Sequence, residues 1–574
     1  MSGEGEYLWL SSHAKNFHFK ETSYENLCNN KLHVTNAFKE YQIPPDIDWK
    51  ADPFNSKSWR LYFHSLDWLH SFRYGIMHLD SVGKLNEAFS IIFDWWDKNS
   101  NPLEADTMAW DDHATANRLA NLCFWFLLSD ESEEKEKIIQ MINFHTQKIL
   151  DFHENGYWIS NNHGIFHIAS LVNVNIAIPQ DKLNLDCNQI AQTYLNDLLD
   201  SIIHKDSGCS TEQSIFYHQF VIREFKPLIE VISHCKKMSS KGIKSCVNKM
   251  IRFLDLISTD SGNVPALGDT AYGFRVDKTY KSESRRDTYS HCFKETGIAI
   301  FGGRSPKGQN LATFSFPKNR SSHGHFSPLN FTLILDDNQV LVDSGGAYAY
   351  GEEFRFRYVV SNFAHNTITV DGINSKRGCD YIDRKTGTIP YVTASTETGN
   401  SNIKRTVLSV NGQMFVIFDE VSPSDIISTD SYWHLPPGVK KINDNGHEID
   451  KNLQFQKLGE KSHSSKLTVG IEDSEYLISV ASSNLHSRDL CFGLSGSQPQ
   501  GWVTPRFRTK EPSHCLVVSN QKVNSSHSST IVVNQELDYD IISQSPHEIF
   551  LLSGELGKVR IYMTEKGPKF DHIR

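Results

Sequence analysis

The sequence has no Cys-x-x-Cys pair, no long apolar run and no surplus of basic residues, and each absence removes a class of function. Its ten cysteines are scattered from Cys28 to Cys515, which fits reduced thiols rather than a disulfide framework or a cysteine-built zinc site. Any metal must use other ligands. Nothing approaches the roughly 18 consecutive apolar residues of a membrane span, so none is expected. The start, MSGEGEYLWLSSHAKNF, has neither a basic lead nor an apolar core, so no signal peptide is expected. A cytoplasmic protein is the default, and a periplasmic or secreted one follows if a leader has been removed. A formal charge of -10 argues against general nucleic-acid binding but leaves room for a local basic cleft. Arg355, Arg357, Lys376 and Arg377 are candidates for such a cleft, although a solvated face is the simpler account of them. No pattern in the sequence specifies an oligomer.

What is present is enough apolar residue for large cores. At 574 residues, with 39% hydrophobic and 22% charged, the chain is too long for one core and suggests two or three domains. In the first half Leu85, Ala88, Phe89, Ile92, Phe93 and Trp96 recur at three and four, as do Leu119, Leu122, Cys123 and Phe126, the spacing of amphipathic helices. Further helical stretches are expected around 138–152, 190–203, 216–232 and 247–256, packed as antiparallel hairpins. From about Gly297 the period becomes two, in runs such as FTLIL, QVLVD, HNTITV and MFVIF. Asn411-Gly412 is the clearest hairpin turn, because both residues tolerate the positive φ of a type I′ turn. The polar segment Val276 to Ser290 is the best linker. The expectation is an α+β multidomain protein, helical over 1–285 and β over 286–574.

Three polar clusters invite a chemical reading. GYWISNNHGIFHIASLV places Asn161, Asn162 and His163 before an apolar helical run, which a helix N-cap explains without any chemistry. GCSTEQSIFYHQFVIREF sets Glu212, Ser214, Tyr217 and His218 at the start of another helix, where tyrosine is commonly a packing residue. The third joins SSHGHFSPLNFTLILDDNQVLVDSGGAYAYG to RFRYVVSNFAHNTITVDG and brings in His323, His325, Asp343 and His365. Two imidazoles and a carboxylate from His325, Asp343 and His365 suit a four-coordinate zinc with one open position. Asp343 ends the strand paired with the one that His325 precedes. Read without a metal, these are ordinary polar residues at strand ends.

Taken together, IDWKADPFNSKSWRLYFHSLDWL, the HGH and AHNT elements, the Asn-His pair and RTVLSVNGQMFVIFDEV resemble the heparinase II/III-like polysaccharide lyases over most of the chain. The resemblance implies an N-terminal (α/α) toroid followed by an antiparallel β-sandwich, with the active site in the cleft between them. It implies that Asn162, His163, Tyr217 and His323 face substrate while His325, Asp343 and His365 hold a zinc ion. One departure bears on substrate choice: where some members carry a carboxylate one turn after the Asn-His pair, this chain has Phe166. Tyr348, Tyr350 and Tyr358 compete for an auxiliary role, and Tyr350 is preferred.

The chemistry so implied is β-elimination on a uronate-containing, anionic polysaccharide. Removing the C5 proton beside an ionised carboxylate builds a dianion, which needs hydrogen-bond donors such as Asn162 and His163. Tyr217 is assigned the acid/base role, with His163 or His323 as the base for the opposite uronate epimer. Zinc is expected to be structural, fixing the loop that carries His323. Trp110, Tyr74, His113 and Arg118 are candidates to line the sugar site, with packing alone as an equal alternative for them, and Glu212 is assigned to substrate as well. Two other functions remain open. A glycoside hydrolase would need two carboxylates, for which Asp111 and Glu212 are the candidates; the third reading is a non-catalytic glycan-binding or polysaccharide-assembly protein.

Overall fold

A computed structural model of the chain describes residues 8–155, 161–235, 238–280, 288–423, 425–458, 464–554 and 556–573. Of the expected linker Val276 to Ser290, residues 281–287 lie outside the described residues. The chain divides into two compact units, the first joining Met1–Ile203 to Phe220–Asn248 and the second joining His204–Gln219 to Lys249–Arg574. The first is helical, and its helices are α1 (Glu21–Cys28), α2 (Lys57–Ser65), α3 (His70–His78), α4 (Lys84–Asn99), α5 (Asp112–Leu128), α6 (Ser132–Glu154), α7 (His163–Ala177) and α8 (Cys187–Ser201). Helices α9 (Ile215–His234) and α10 (Lys241–Leu256) are each divided between the units.

Helix α5 packs on α2, α6 and α7, and α7 packs in turn on α8. Nearly every residue of α5 and α7 is buried, so these two are core helices rather than amphipathic ones. Helix α4 keeps the expected stripe through Ala88, Phe89 and Ile92, but Trp95 rather than Trp96 is the tryptophan fully buried. The reason is polar: the Trp95 indole N–H donates to His64 Nδ1 at 3.1 Å. The start of the chain is fastened to α7 by one amide, since Asn173 Oδ1 accepts from Trp9 N at 2.7 Å and Asn173 Nδ2 donates to Trp9 O at 2.8 Å. A buried side-chain amide thus replaces the strand that would otherwise satisfy this backbone.

The strands of the second unit pair antiparallel throughout. A five-stranded meander opens at Tyr289–Phe293 and ends at Asn338–Leu341, before nine-, five- and four-stranded sheets. Ser401–Val410 and Met414–Pro423 form the expected hairpin, with Asn411 at φ 51° and Gly412 at φ 66°. Their side chains alternate between two cores. Val407, Phe415 and Ile417 join Phe331, Leu333 and Trp433 in one. Leu408, Met414, Val416 and Phe418 join Ile549, Leu551, Val559 and Ile561 of the C-terminal four-stranded sheet in the other. The run MFVIF is therefore continuously apolar because both of its faces are covered.

One buried group of the first unit sets a pH dependence. Asp67 is 3% exposed, and burial, reinforced by the nearby carboxylate of Glu224, pushes its pKa up to about 8. Because the folded value lies above the ordinary value of about 3.9, this group is harmless below about pH 4, and its destabilising effect grows as pH rises toward about 8. Asp67→Asn should therefore melt higher than the parent at pH 8 to 9. The difference should shrink as pH falls and vanish near pH 4; a gain independent of pH would show that Asp67 is not the titrating group.

Candidate active site and metal centre

Within the first unit the Asn-His pair stands at the start of α7. Asn161, not Asn162, supplies the capping oxygen, accepting from His163 N at 2.9 Å. Asn162 makes no side-chain capping bond, so the capping account does not explain its amide. His163 Nδ1 lies 3.0 Å from Asp112 Oδ2, and His167 Nε2 lies 3.4 Å from the same oxygen. Burial alone would raise the Asp112 pKa, but hydrogen bonds from His163 and His167 outweigh it and hold the carboxylate well below its usual range. Phe166 fills its position with aromatic packing, 4.1 Å from the His113 ring centroid and 5.4 Å from that of Trp9. The carboxylate beside His163 thus comes from the first turn of α5 instead of from one turn further along α7.

Three of the residues expected to touch sugar sit in walls. Arg118 is completely buried: its guanidinium donates to His145 Nε2 at 2.8 Å, His64 O at 2.6 Å and Ala109 O at 2.8 Å, and lies 3.8 Å from the Trp95 ring centroid. Its donors are spent inside the protein, and burial lowers its pKa. His113 is 9% exposed and packs behind His163, ring centroids 4.8 Å apart. Glu212, 2% exposed, lies 3.9 Å from His323 Nε2. The aromatic candidates are packing residues too: Trp110 donates to Asn99 O at 2.7 Å, and Tyr74 packs on Phe19. Asp111 caps α5 through His113 N at 3.1 Å.

In the second unit Tyr217, His323 and Tyr350 come together around a residue that sequence reading missed, Asp269. The Tyr217 and His323 rings stack 3.5 Å apart at 12°. His323 Nδ1 lies 3.0 Å from Asp269 Oδ2 and 3.0 Å from the Tyr350 hydroxyl. That hydroxyl donates to Asp269 Oδ2 at 2.5 Å. Tyr350 is 55% exposed as a residue but turns its hydroxyl onto Asp269, and burial there and the neighbouring Tyr217 and Asp269 raise its pKa. It is therefore a protonated donor. Of its competitors, Tyr358 is fully buried with its hydroxyl 3.2 Å from the backbone of Trp502, and Tyr348 packs on Phe354.

The space a side chain would need is taken at two glycines, by backbone at Gly268 and by the Gln213 side chain at Gly324. A Cβ at Gly324, the centre of HGH, would lie 2.2 Å from Gln213 Oε1, and one at Gly268 would lie 2.3 Å from Gln213 O and 2.5 Å from His323 O. Gln213 accordingly ties the loop down, donating to Asn319 O at 2.6 Å and accepting from Ser321 N at 3.1 Å. His218, nearby in sequence, is structural, with Nδ1 accepting from Ser210 N at 3.0 Å and Nε2 2.9 Å from Met250 O.

His325, Asp343 and His365 are all buried, with their ligand atoms within 4.8 Å of one another, so the group can hold a metal ion. Among the described residues His325 Nδ1 and His365 Nε2 have no hydrogen-bond partner, and a bound ion would satisfy both of these buried nitrogens. His325 Nε2 is 3.0 Å from Asp269 Oδ1, and Asn330 donates to Asp343 Oδ2 at 2.7 Å, so two of the three ligands have outer partners. The neighbouring Asn366 of AHNT clasps the sheet, donating to Phe331 O at 2.7 Å and Val342 O at 2.8 Å.

Comparison with known proteins finds two family patterns that together span most of the chain. The pattern described as Heparinase II/III N-terminus matches residues 13–292, and that described as Heparinase II/III-like, C-terminal, matches residues 287–533. Comparison with curated protein sequences finds no match. Among solved structures, heparinase III superposes with a TM-score of 0.73 at 12% identity, covering 98% of this chain and 91% of that one. A mutant of heparan sulfate lyase HepC from Pedobacter heparinus gives 0.64 at 16% identity, covering 98% and 90%. Chondroitinase AC lyase gives 0.54 at 9% identity, covering 98% and 88%. At these identities the likeness establishes the fold, a helical N-terminal part followed by antiparallel β-sheets.

Two outcomes follow from this geometry. Elemental analysis should find one metal ion per chain, lost in His325→Ala, Asp343→Ala and His365→Ala; metal retained in all three would place the ion elsewhere. Arg118→Ala strands three acceptors in the core and should cost about 3 kcal/mol or more. Its melting temperature should fall while KM of the folded fraction stays unchanged, whereas a raised KM at unchanged melting would return Arg118 to the substrate surface.

Proposed function

The chain belongs to the heparinase II/III-like family, a family of polysaccharide lyases, and from that membership we propose that it cleaves a uronic-acid-containing glycan by β-elimination, with its helical unit read as an (α/α) toroid and its β unit as a sandwich. The observation that carries the proposal is the flat stacking of Tyr217 on His323, 3.5 Å between centroids, with the Tyr350 hydroxyl on the same imidazole. The carboxylates of this proton-transfer cluster, Asp269 and Glu212, are both buried, whereas a hydrolase requires a pair that flanks the scissile bond.

Elimination starts with removal of the proton on C5, beside the uronate carboxylate, and ends with expulsion of the sugar on O4. Asn162 and His163 are assigned to the carboxylate, where donors matter most as the dianion develops. His163 suits this because Asp112 holds Nδ1 while the side chain keeps 31% of its surface exposed. Tyr217 is assigned the transfer of the proton from C5 and to O4. His323, with Nδ1–H donated to Asp269, presents its lone pair at Nε2 and is the alternative base for the opposite epimer. Tyr350, protonated, is a donor to the departing oxygen or to the intermediate.

The anionic character of the substrate is supported at the HGH loop. Arg320 donates from Nε to Gly324 O at 2.7 Å and lies 4.5 Å from the Phe326 centroid, and Lys376 Nζ lies 5.9 Å from the same ring. Neither has a carboxylate partner among the described residues. The other expected cations are occupied: Arg355 by Asp269, Arg357 by Glu353 and Arg377 by Glu397. For the metal we propose zinc, which suits two imidazoles and one carboxylate. Bound there it supplies charge and a fixed loop rather than an activated water, since elimination consumes none.

Incubation with a panel of uronate polysaccharides should generate ultraviolet absorbance from a C4–C5 double bond, with fragments one water lighter than hydrolysis products and no oxygen taken from isotopically heavy water. Saturated products carrying solvent oxygen would establish hydrolysis instead. Tyr217→Phe should lose at least about two orders of magnitude in kcat; near-normal turnover would remove Tyr217 from the proton transfer.

A further inference from the structure

We infer that Asp269 is a positioning residue that couples metal binding at His325, Asp343 and His365 to the placement of His323 and Tyr350. The inference rests on the lyase reading only for the names of the reacting groups. Its basis is the division of one buried carboxylate. Oδ1 receives His325 Nε2 at 3.0 Å and Arg355 Nη2 at 2.5 Å, while Oδ2 receives His323 Nδ1 at 3.0 Å and the Tyr350 hydroxyl at 2.5 Å. One oxygen faces the metal ligand and the other faces the proton-transfer cluster.

Three further observations make the coupling mechanical. With Nε2–H committed to Asp269, the His325 lone pair is at Nδ1, the nitrogen without a hydrogen-bond partner among the described residues; the carboxylate therefore selects the tautomer that can bind a metal. The Asp269 backbone cannot give way. Its N–H donates to His323 O at 2.9 Å, and Gly268 before it is pressed between the carbonyls of Gln213 and His323. Arg355 extends the coupling to the Tyr350 loop, donating from Nη1 to Gly346 O at 3.0 Å and Tyr348 O at 3.3 Å. A rigid planar group with one end held by a metal-bound imidazole has no freedom to turn its other end. Release of the ion frees His325 to rotate, and the hydrogen bonds at Oδ2 loosen with it.

The test uses the full chain loaded with cobalt(II), whose visible absorption reports the ligand field, together with metal affinity measured against a chelator. Asp269→Asn keeps the shape of the side chain but loses its charge and one acceptor. It should still bind one ion per chain, with affinity weakened about 10- to 100-fold and a shifted cobalt spectrum. It should lower kcat while leaving KM nearly unchanged, and stripping its metal should lower kcat little further, because the coupling is already broken. Tyr350→Phe, which removes a single hydroxyl from a residue that is 55% exposed, guards against misfolding: removing the donor at Oδ2 should also shift the cobalt spectrum. Parental spectrum and affinity in both variants, or kcat losses from metal removal and Asp269→Asn that multiply, would overturn the inference. Spectrum and affinity are read without any glycan. A protein that shows the shifts yet cleaves nothing would keep the coupling and lose the lyase reading.

Discussion

A carboxylate that keeps its charge when removed from water must be given donors, and that requirement organises polar clusters in both units. Asp269 receives two imidazoles, a guanidinium and a phenol. Burial opposes its charge, but the hydrogen bonds of His323 and His325 and the charge of Arg355 hold its pKa well below the carboxylate range. Asp112 is satisfied by His163 and His167, and Asp419 by the equally buried Arg405 at 2.6 Å. For Asp269 and Asp112 the donors come from segments far apart in sequence, whereas Arg405 faces Asp419 across a single hairpin. The carboxylates therefore fix which loops and helices may approach, while apolar burial around them supplies most of the stabilisation.

The small residues around the site follow from the same demand. Gly324 and Gly268 are glycines because Gln213 and His323 occupy the space a Cβ would take. Asn366 is asparagine because three elements meet at its amide, which donates to Phe331 O and Val342 O and accepts from His434 N at 2.6 Å. HGH and AHNT each combine one or two histidines able to meet a ligand with a neighbour whose work is to fasten backbone. That pairing is why the motifs are compact in sequence although the groups they serve are dispersed.

Sequence periodicity revealed the change from helix to strand and the Asn411-Gly412 turn, since both are local properties. The metal set His325, Asp343 and His365 was legible from its residue types and strand-end positions, although His365 precedes a strand of a different sheet from the pair flanked by His325 and Asp343. Asp269 and Asp112 were not. A lone aspartate in NVPALGDTAYG carries no spacing signal, and its importance arises only when His323, His325, Tyr350 and Arg355 converge on it. Asp112 stood inside a stretch already singled out, between Asp111 and His113, and the helix start at residue 112 was the available clue. Arg118 was misread for a related reason: a guanidinium in a core is unexpected until the aromatic faces of Trp95 and Trp110 are placed beside it. The C-terminal layer was equally hidden, because MFVIF is apolar at every position whichever face is covered.

That doubly covered hairpin has a bearing on how the sequence can vary. In a sheet with one wet face, every second position is open to polar replacement, and change accumulates there at little cost. At Val407 and Leu408 and along Met414 to Phe418 no such positions exist, because neighbours in sequence belong to different cores. Variation in this segment is restricted to exchanges of similar volume, and any larger change on one side needs a matching change in a different partner sheet from its neighbour's. The hairpin thus divides the β unit into two repacking problems that share a backbone but not a solution, and the two cores can diverge independently of each other.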